Sequence, residues 1–214
     1  MVDCSKAQKP ILRSYLAGVV ALILTMSASL AIGSTVRVAQ AGSAGACGVE
    51  RWDVKTLSDP AASQVSLTPI TITVEALRAL NIPGPSGLHT PRFPVEKKTY
   101  TVTGRLLEAA READRDYHLV IAGARPDTTM IVEIPDPACL TSRTRPAVVR
   151  AITKSRKFFD QTFGKPSQAP TFTKFPTPRT VTITGVLFFD RIHNQNGVAP
   201  NGVELHPVLD IHSP

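Results

Sequence analysis

The sequence predicts a mainly β protein with one principal α-helix, in the order strand, strand, strand, helix, strand, strand behind an N-terminal extension. Three observations predict it. After Val95, five segments read as strands, and three of them, Tyr100–Glu108, Thr180–Leu187 and Val203–His206, alternate apolar and polar residues with a period of two, the spacing of strands with one face in a core. One segment, 146–163, repeats its apolar residues at helical spacing. The densest run of proline and glycine, 81–94 (NIPGPSGLHTPRFP), precedes all of these and marks an irregular connector between extension and main module.

The chain has 214 residues, 43% hydrophobic and 19% charged, which suits one ordinary core. Residues 1–41 have the pattern of a secretory signal: Lys6, Lys9 and Arg13 precede the apolar run Leu16–Ile32, and Ala39-Gln40-Ala41 is a small-x-small cleavage pattern. The alternatives are a membrane anchor, for which the run is short, and lipid attachment at Cys47, for which Ala44-Gly45-Ala46 lacks the usual branched residue or Leu. Cleavage after Ala41 implies a periplasmic, cell-surface or extracellular protein with no membrane association. It removes four basic residues and one acidic one, so the formal charge falls by three from +7 to +4. That excess is no nucleic-acid footprint. It also removes Cys4 and leaves Cys47 and Cys139, an even pair in an oxidising compartment, predicted to form one disulfide. Two unpaired buried thiols are the alternative.

Residues 42–94 form the predicted extension. Trp52, the only tryptophan, is flanked by Glu50, Arg51, Asp53 and Lys55 and is read as a packing anchor. Ile70–Val74 alternates like a short strand, and Glu75–Leu80 are helix formers ended by Pro83 and Gly84. The main module, 95–214, opens with strand Tyr100–Glu108, where Gly104 permits a sharp bend. Glu112–Asp116 reads as a solvated charged turn. Tyr117–Ala122 and Thr129–Ile134 then complete an antiparallel meander. Thr144 is placed to cap a helix with Pro146 in its first turn. Val148, Ile152, Phe159 and Phe163 fall on its apolar face, and Arg150, Lys154 and Lys157 on a solvated one. Gly164 ends it. Lys165–Pro178 is a proline-containing loop whose Phe172 and Phe175 are predicted to fold over the core.

The last hairpin is the most distinctive stretch. Val181, Ile183 and Leu187 alternate with Thr180, Thr182 and Thr184, and Val203 and Leu205 with Glu204 and His206. Pro207 lacks a backbone donor and predicts a sheet edge or a bulge. Between the strands, Asn196-Gly197 and Asn201-Gly202 supply positive-φ positions, so the loop is expected to be ordered.

The order of YTVTGRLLEA, YHLVIA, TMIVEI, the helix at 146–163, RTVTITGVLFF and VELHPVLDI resembles the OB-fold, a five-stranded, partly open barrel (β-β-β-α-β-β). The VTGRLLEA…DYHLVI…ELHPV pattern is similar to exported, uncharacterised bacterial proteins, a similarity that implies no activity. The OB resemblance implies a binding face on the second and third strands and on the loops Glu108–Asp116 and Asp190–Asn201. Strands two and three offer only Tyr117 as an aromatic, no Lys or Arg, and an acidic neighbouring loop, so nucleic acid is not expected on that face. Thermonuclease-type enzymes share the barrel. Glu112, Asp114, Asp116 and Arg115 match their composition of carboxylates and arginine, but not their motif.

Candidate chemistry concentrates in Asp190, Arg191, His193, Asn194, Gln195, Asn196, Asn201, Glu204 and His206. Asp190-Arg191-Ile192-His193 with Asn196 is similar to the Asp-Arg-Gly-His…Asn pattern of metal-dependent nonspecific nucleases, with Ile192 in place of the glycine. Glu204 and His206 share a strand face, and a folded-back His193 would complete a His-Glu-His metal set. The bland readings are a loop histidine bonded to a carbonyl and a half-buried strand histidine. There is no phosphate loop, dinucleotide fingerprint or nucleophile elbow. The leading expectation is an exported, non-enzymatic OB-like binding module without cofactor or metal, holding a small polar, saccharide or peptide ligand at the last loop. A metal-dependent hydrolase using His193, Glu204 and His206, and a structural envelope protein without a ligand, are the alternatives.

Overall fold

A computed structural model describes residues 46–214, which include no helix long and apolar enough to cross a membrane. The signal reading of residues 1–41 lies outside the described residues. The elements are α1 Trp52–Lys55, β1 Pro69–Thr71, α2 Val74–Arg78, β2 Thr99–Arg111, β3 Tyr117–Ala122, β4 Thr129–Ile134, α3 Pro146–Phe163, β5 Ser167–Gln168, β6 Thr173–Phe189 and β7 Val203–His212. Five of the strands close a ring in the order β2-β3-β4-β7-β6, with β6 pairing back onto β2. The β4–β7 pairing is parallel, made possible by α3 carrying the chain across between β4 and β6. β1 and β5 add parallel to β2 outside the ring.

Period-two alternation accounts for the core positions of β2 and β6, whereas β3 is buried along its whole length and β4 nearly so. Val102, Leu106, Leu119, Ile121, Met130, Val132, Val181, Ile183 and Leu205 belong to one buried cluster, and Val148, Ile152 and Phe159 bring α3 into it. Each such side chain contributes on the order of 1.5–3 kcal/mol by leaving water. The helix bounds match the expectation, and Lys154 and Lys157 are exposed as predicted. Its first residue is not capped by Thr144, however. The Thr144 hydroxyl is buried and donates instead to the Thr56 carbonyl at 3.1 Å. Phe175 packs edge-on against Phe163, as expected of a segment covering the core, although the strand already begins at Thr173. Pro207 sits at a bulge in the β6–β7 ladder, whose register shifts between Thr184 and Leu187, and not at an edge. The bend in β2 is likewise a register shift between Leu106 and Glu108, not at Gly104.

Residues 46–94 share the core of the ring: Leu57, Val65, Val74 and Leu77 lie in the same buried cluster. The expected short strand and helix are β1 and α2, with the helix beginning one residue early at Val74. Cys47 and Cys139 are joined by the predicted disulfide across 92 positions of sequence. Trp52 anchors beside it, its indole N–H donating to the Cys139 carbonyl at 3.4 Å.

The tightest tie between extension and ring is Arg51. Its five N–H groups all find acceptors: Nε on Thr90 O, Nη1 on Glu96 Oε1 and Phe189 O, and Nη2 on Glu96 Oε2 and Pro91 O, at 2.6–3.2 Å. Glu96 in turn accepts from the backbone N–H of Phe93 and of Phe189. Both side chains are completely buried, with the guanidinium between the rings of Phe93 and Phe188.

Removing one partner of such a pair leaves an uncompensated buried charge, so Arg51→Met is expected to cost about 3–5 kcal/mol. The Arg51→Met/Glu96→Met double variant should lose less than either single variant loses, measured by urea unfolding at neutral pH. Reduction of the disulfide should cost about 4–5 kcal/mol on the loop-entropy account, read from the same transitions with and without reductant.

Candidate functional site

A cleft of about 1130 Å³ opens where four irregular segments meet over the end of the ring: residues 46–50, the β2–β3 turn, the 169–172 connector and the β6–β7 loop. Three strands supply its floor. The register places His118 of β3 opposite Glu133 of β4, and the parallel pairing of Ile131 with Glu204 and Val132 with Leu205 carries His206 of β7 to the far side of Glu133. α1 adds Lys55, held between Asp190 and the face of Phe188.

The floor is a chain of alternating carboxylates and imidazoles. His206 Nδ1 lies 2.9 Å from Glu133 Oε2 and its Nε2 lies 3.3 Å from Asp116 Oδ2. His118 Nδ1 lies 3.2 Å from Glu133 Oε1 and 3.6 Å from Glu112 Oε1, while its Nε2 is 2.8 Å from the Asn196 carbonyl. The distances to His206 are those of ion pairs, but its N–H directions miss both carboxylates. Neither ring nitrogen of His206, nor Asp116 Oδ2, completes a hydrogen bond.

Burial and mutual repulsion set the titration of the cleft. Burial, reinforced by Asp190 and Glu133, pushes the Glu204 carboxyl well above the usual range. Burial, with Asp116 and Glu133 adding, pushes Asp114 up to about 6. Burial raises Glu112 as well, partly offset by His118. Glu133 goes the other way: burial opposes its charge, but contacts with His118 and His206 outweigh burial and hold it well below the ordinary range. Burial disfavours the charged forms of His118, His206 and Lys55. Glu133 outweighs it at His118, Asp116 and Glu133 at His206, and the joint field of Glu133, Asp190, Glu204 and Asp114 at Lys55, so all three are raised.

The residues expected to form a site are split by the structure. Asp190, His193, Asn194, Gln195, Asn196 and Glu204 line the cleft. The loop that carries them is ordered as expected, with Gly197 at φ 80° and Gly202 at φ 67°. A side chain at Gly197 would collide with Val120, its Cβ falling 2.4 Å from Cγ1. Gln195 is used to hold this loop: its amide donates to Asp190 Oδ2 and Arg191 O, and its oxygen accepts from the His193 N–H. Asn196 donates to Glu108. Arg191, largely exposed, pairs with Glu50 at 3.4 Å. Asn201 leaves the set, because its buried amide donates to the Leu77 and Leu80 carbonyls and its oxygen accepts from Val203 N–H, fixing α2 to the hairpin.

His193, Glu204 and His206 do not converge. His193 is half exposed and 3.8 Å from Asp190, whereas His206 is wholly buried beneath the cleft. Among the described residues, the group with ligand atoms within 4.8 Å of one another is Asp116, Glu133 and His206. The solvated-turn reading of Glu112–Asp116 is corrected too: Asp116 is fully buried, and Glu112 and Asp114 are cleft walls. Lys55, His118 and Glu133 had no place in the expected site. The available signal was Glu133 and His118 in strands too apolar to have a wet face, since an ionisable group in a doubly buried strand needs a partner. Comparison with known proteins finds no match among protein-family models, curated proteins or solved structures.

Lys55 is the principal cation among the buried carboxylates. Its replacement in Lys55→Met is expected to destabilise the protein at pH 8 by more than at pH 5, because Asp114, with its pKa near 6, takes up a proton in between and relieves the repulsion. The comparison is made by urea unfolding of wild type and variant at both pH values. An equal loss at the two would exclude the electrostatic role.

Proposed function

We propose that the protein is an exported OB-like binding module whose cleft captures an organic cation: an amine, or the Lys and Arg side chains of a basic peptide. The observation that carries this is the composition of the lining, where six carboxylates, of Glu50, Glu112, Asp114, Glu133, Asp190 and Glu204, face one lysine and two histidines. Even with Glu204 protonated, the balance is anionic, and in a partly desolvated cleft such a field attracts and orients cations strongly. Val49, Phe172 and Pro170 add apolar wall for the aliphatic part of such a ligand.

Ring order supports the OB-like reading: the first three long strands, the helix after the third, and the parallel pairing of third with fifth occur in one closed path. The cleft lies between the two connections that this barrel uses for ligands, here the β2–β3 turn and the β6–β7 loop. The disulfide supports export. A saccharide is less well served, because the amides of Gln195 and Asn196 are engaged within the protein. A hydrolase built on His193, Glu204 and His206 has no shared centre to act from.

A charge-assisted hydrogen bond contributes about 1.5–3 kcal/mol, so loss of one carboxylate should weaken binding about tenfold or more. Calorimetric titration with spermidine and with a trilysine peptide should give saturable binding that weakens as salt rises, and Glu112→Gln and Asp114→Asn should each weaken it by that factor. Saturation by a neutral oligosaccharide with no binding of either amine would overturn the reading.

A further inference from the structure

We infer that Asp116, Glu133 and His206 hold a divalent transition-metal ion beneath the cleft floor, at a site that shares only Glu133 with the amine-binding surface above it. The three ligands come from three places in the chain, the end of the β2–β3 turn, β4 and β7, and are brought together by the parallel β4–β7 pairing. Each is at least nine-tenths buried, Asp116 and His206 completely. One imidazole nitrogen and two carboxylate oxygens lie within 4.8 Å of one another, the spacing of a group able to share one ion at metal–ligand distances of about 2.0–2.2 Å.

The second observation is the set of orphaned atoms. Asp116 Oδ2 and both ring nitrogens of His206 are buried without a hydrogen bond. Two carboxylates and an imidazole removed from water carry a desolvation penalty of several kcal/mol per ion unless their lone pairs are satisfied. Charge pairing alone satisfies it badly here, because the imidazole N–H directions miss both acids. A dication bonded to one ring nitrogen of a neutral imidazole and to both carboxylates answers that nitrogen and Asp116 Oδ2 and balances the two negative charges.

The surroundings are arranged as a second layer would be. The other oxygen of Asp116 accepts the Asp136 N–H at 3.1 Å, and the other oxygen of Glu133 faces His118 at 3.2 Å. Each carboxylate thus has one oxygen held by the protein and one turned to the centre, the arrangement that orients ligands. A mixed nitrogen and oxygen set suits Zn²⁺ better than Mg²⁺ or Ca²⁺, which take oxygen ligands and, in the case of Mg²⁺, retain several waters. Three protein ligands leave at least one position for a non-protein ligand.

The test is Zn²⁺ uptake by the purified, chelator-stripped protein, followed by competition with a chromophoric chelator and by thermal unfolding. One equivalent should bind and raise the unfolding temperature, and Asp116→Asn and His206→Gln should each weaken uptake at least tenfold. His193→Ala should keep the full equivalent, since that residue lies outside the site. Should the ligand variants fail to fold, X-ray absorption of the zinc-loaded wild type decides: one imidazole among light-atom ligands supports the assignment, whereas two or more imidazoles or a sulfur overturns it. Absence of a stoichiometric equivalent in wild type, or undiminished uptake by folded Asp116→Asn, also overturns it. Spermidine titration in the presence of chelator reads the cleft separately, so the metal site and the amine-binding reading can fail independently.

Discussion

The buried pair of Arg51 and Glu96 is the constraint on which the geometry of this protein rests. A guanidinium has five donors in a fixed plane, and burying them is tolerable only when every one is met. Here they are met by Glu96 and by carbonyls of Thr90, Pro91 and Phe189, so a single side chain fixes the start of α1, the 90–96 connector and the end of β6 relative to one another. The residue after Phe189 is Asp190, and one turn of helix after Arg51 comes Lys55. The cleft therefore inherits two of its walls from a pair that does not line it. Arg51 itself adopts the left-handed conformation at φ 47°, a cost borne locally for that convergence.

Ring closure supplies the other half of the site. Antiparallel pairing alone would have left β4 and β7 apart; α3 returns the chain so that they run side by side and in the same direction. Side chains at matching positions on parallel neighbours then point the same way, which brings Glu133 and His206 together although 73 positions separate their numbers. The disulfide and the Trp52 indole hold the 46–50 segment over the result. Hydrophobic burial builds the ring, but strand register and ion pairs decide where its polar residues meet.

That division explains what could be read from the sequence. Alternation and helical period are local, so four ring strands and α3 were legible to within a few residues, as were the ordered Asn-Gly turns, whereas β6 begins at Thr173 inside the segment that reads as a proline-containing loop. The cysteine pair was legible because only two candidates remained in the main module and its extension. The site was half legible. The 190–196 loop announces itself by composition, whereas Glu133 and His118 look like single interruptions in apolar strands, and Lys55 like one charge in an alternating run. Their meaning depends on strand register and on what covers the second face of the sheet, neither of which is local. Asn201 shows the opposite error: a polar residue beside a rich loop whose entire hydrogen-bonding capacity is spent on α2.

The two proposed functions of this end of the molecule share one residue. Glu133 contributes its charge to the cleft field and an oxygen to the buried centre, and both Lys55 and His118 answer to it. A dication below the floor neutralises charge that would otherwise attract a cation above it, so occupancy of the lower site opposes occupancy of the upper one. Linkage makes the opposition reciprocal: an amine in the cleft weakens the metal by the same factor that the metal weakens the amine. The size of that factor is set by the dielectric between the sites. Across a floor as dry as His206 and Asp116 make it, two like charges are screened far less than on an open surface, and the coupling survives physiological salt where surface effects fade.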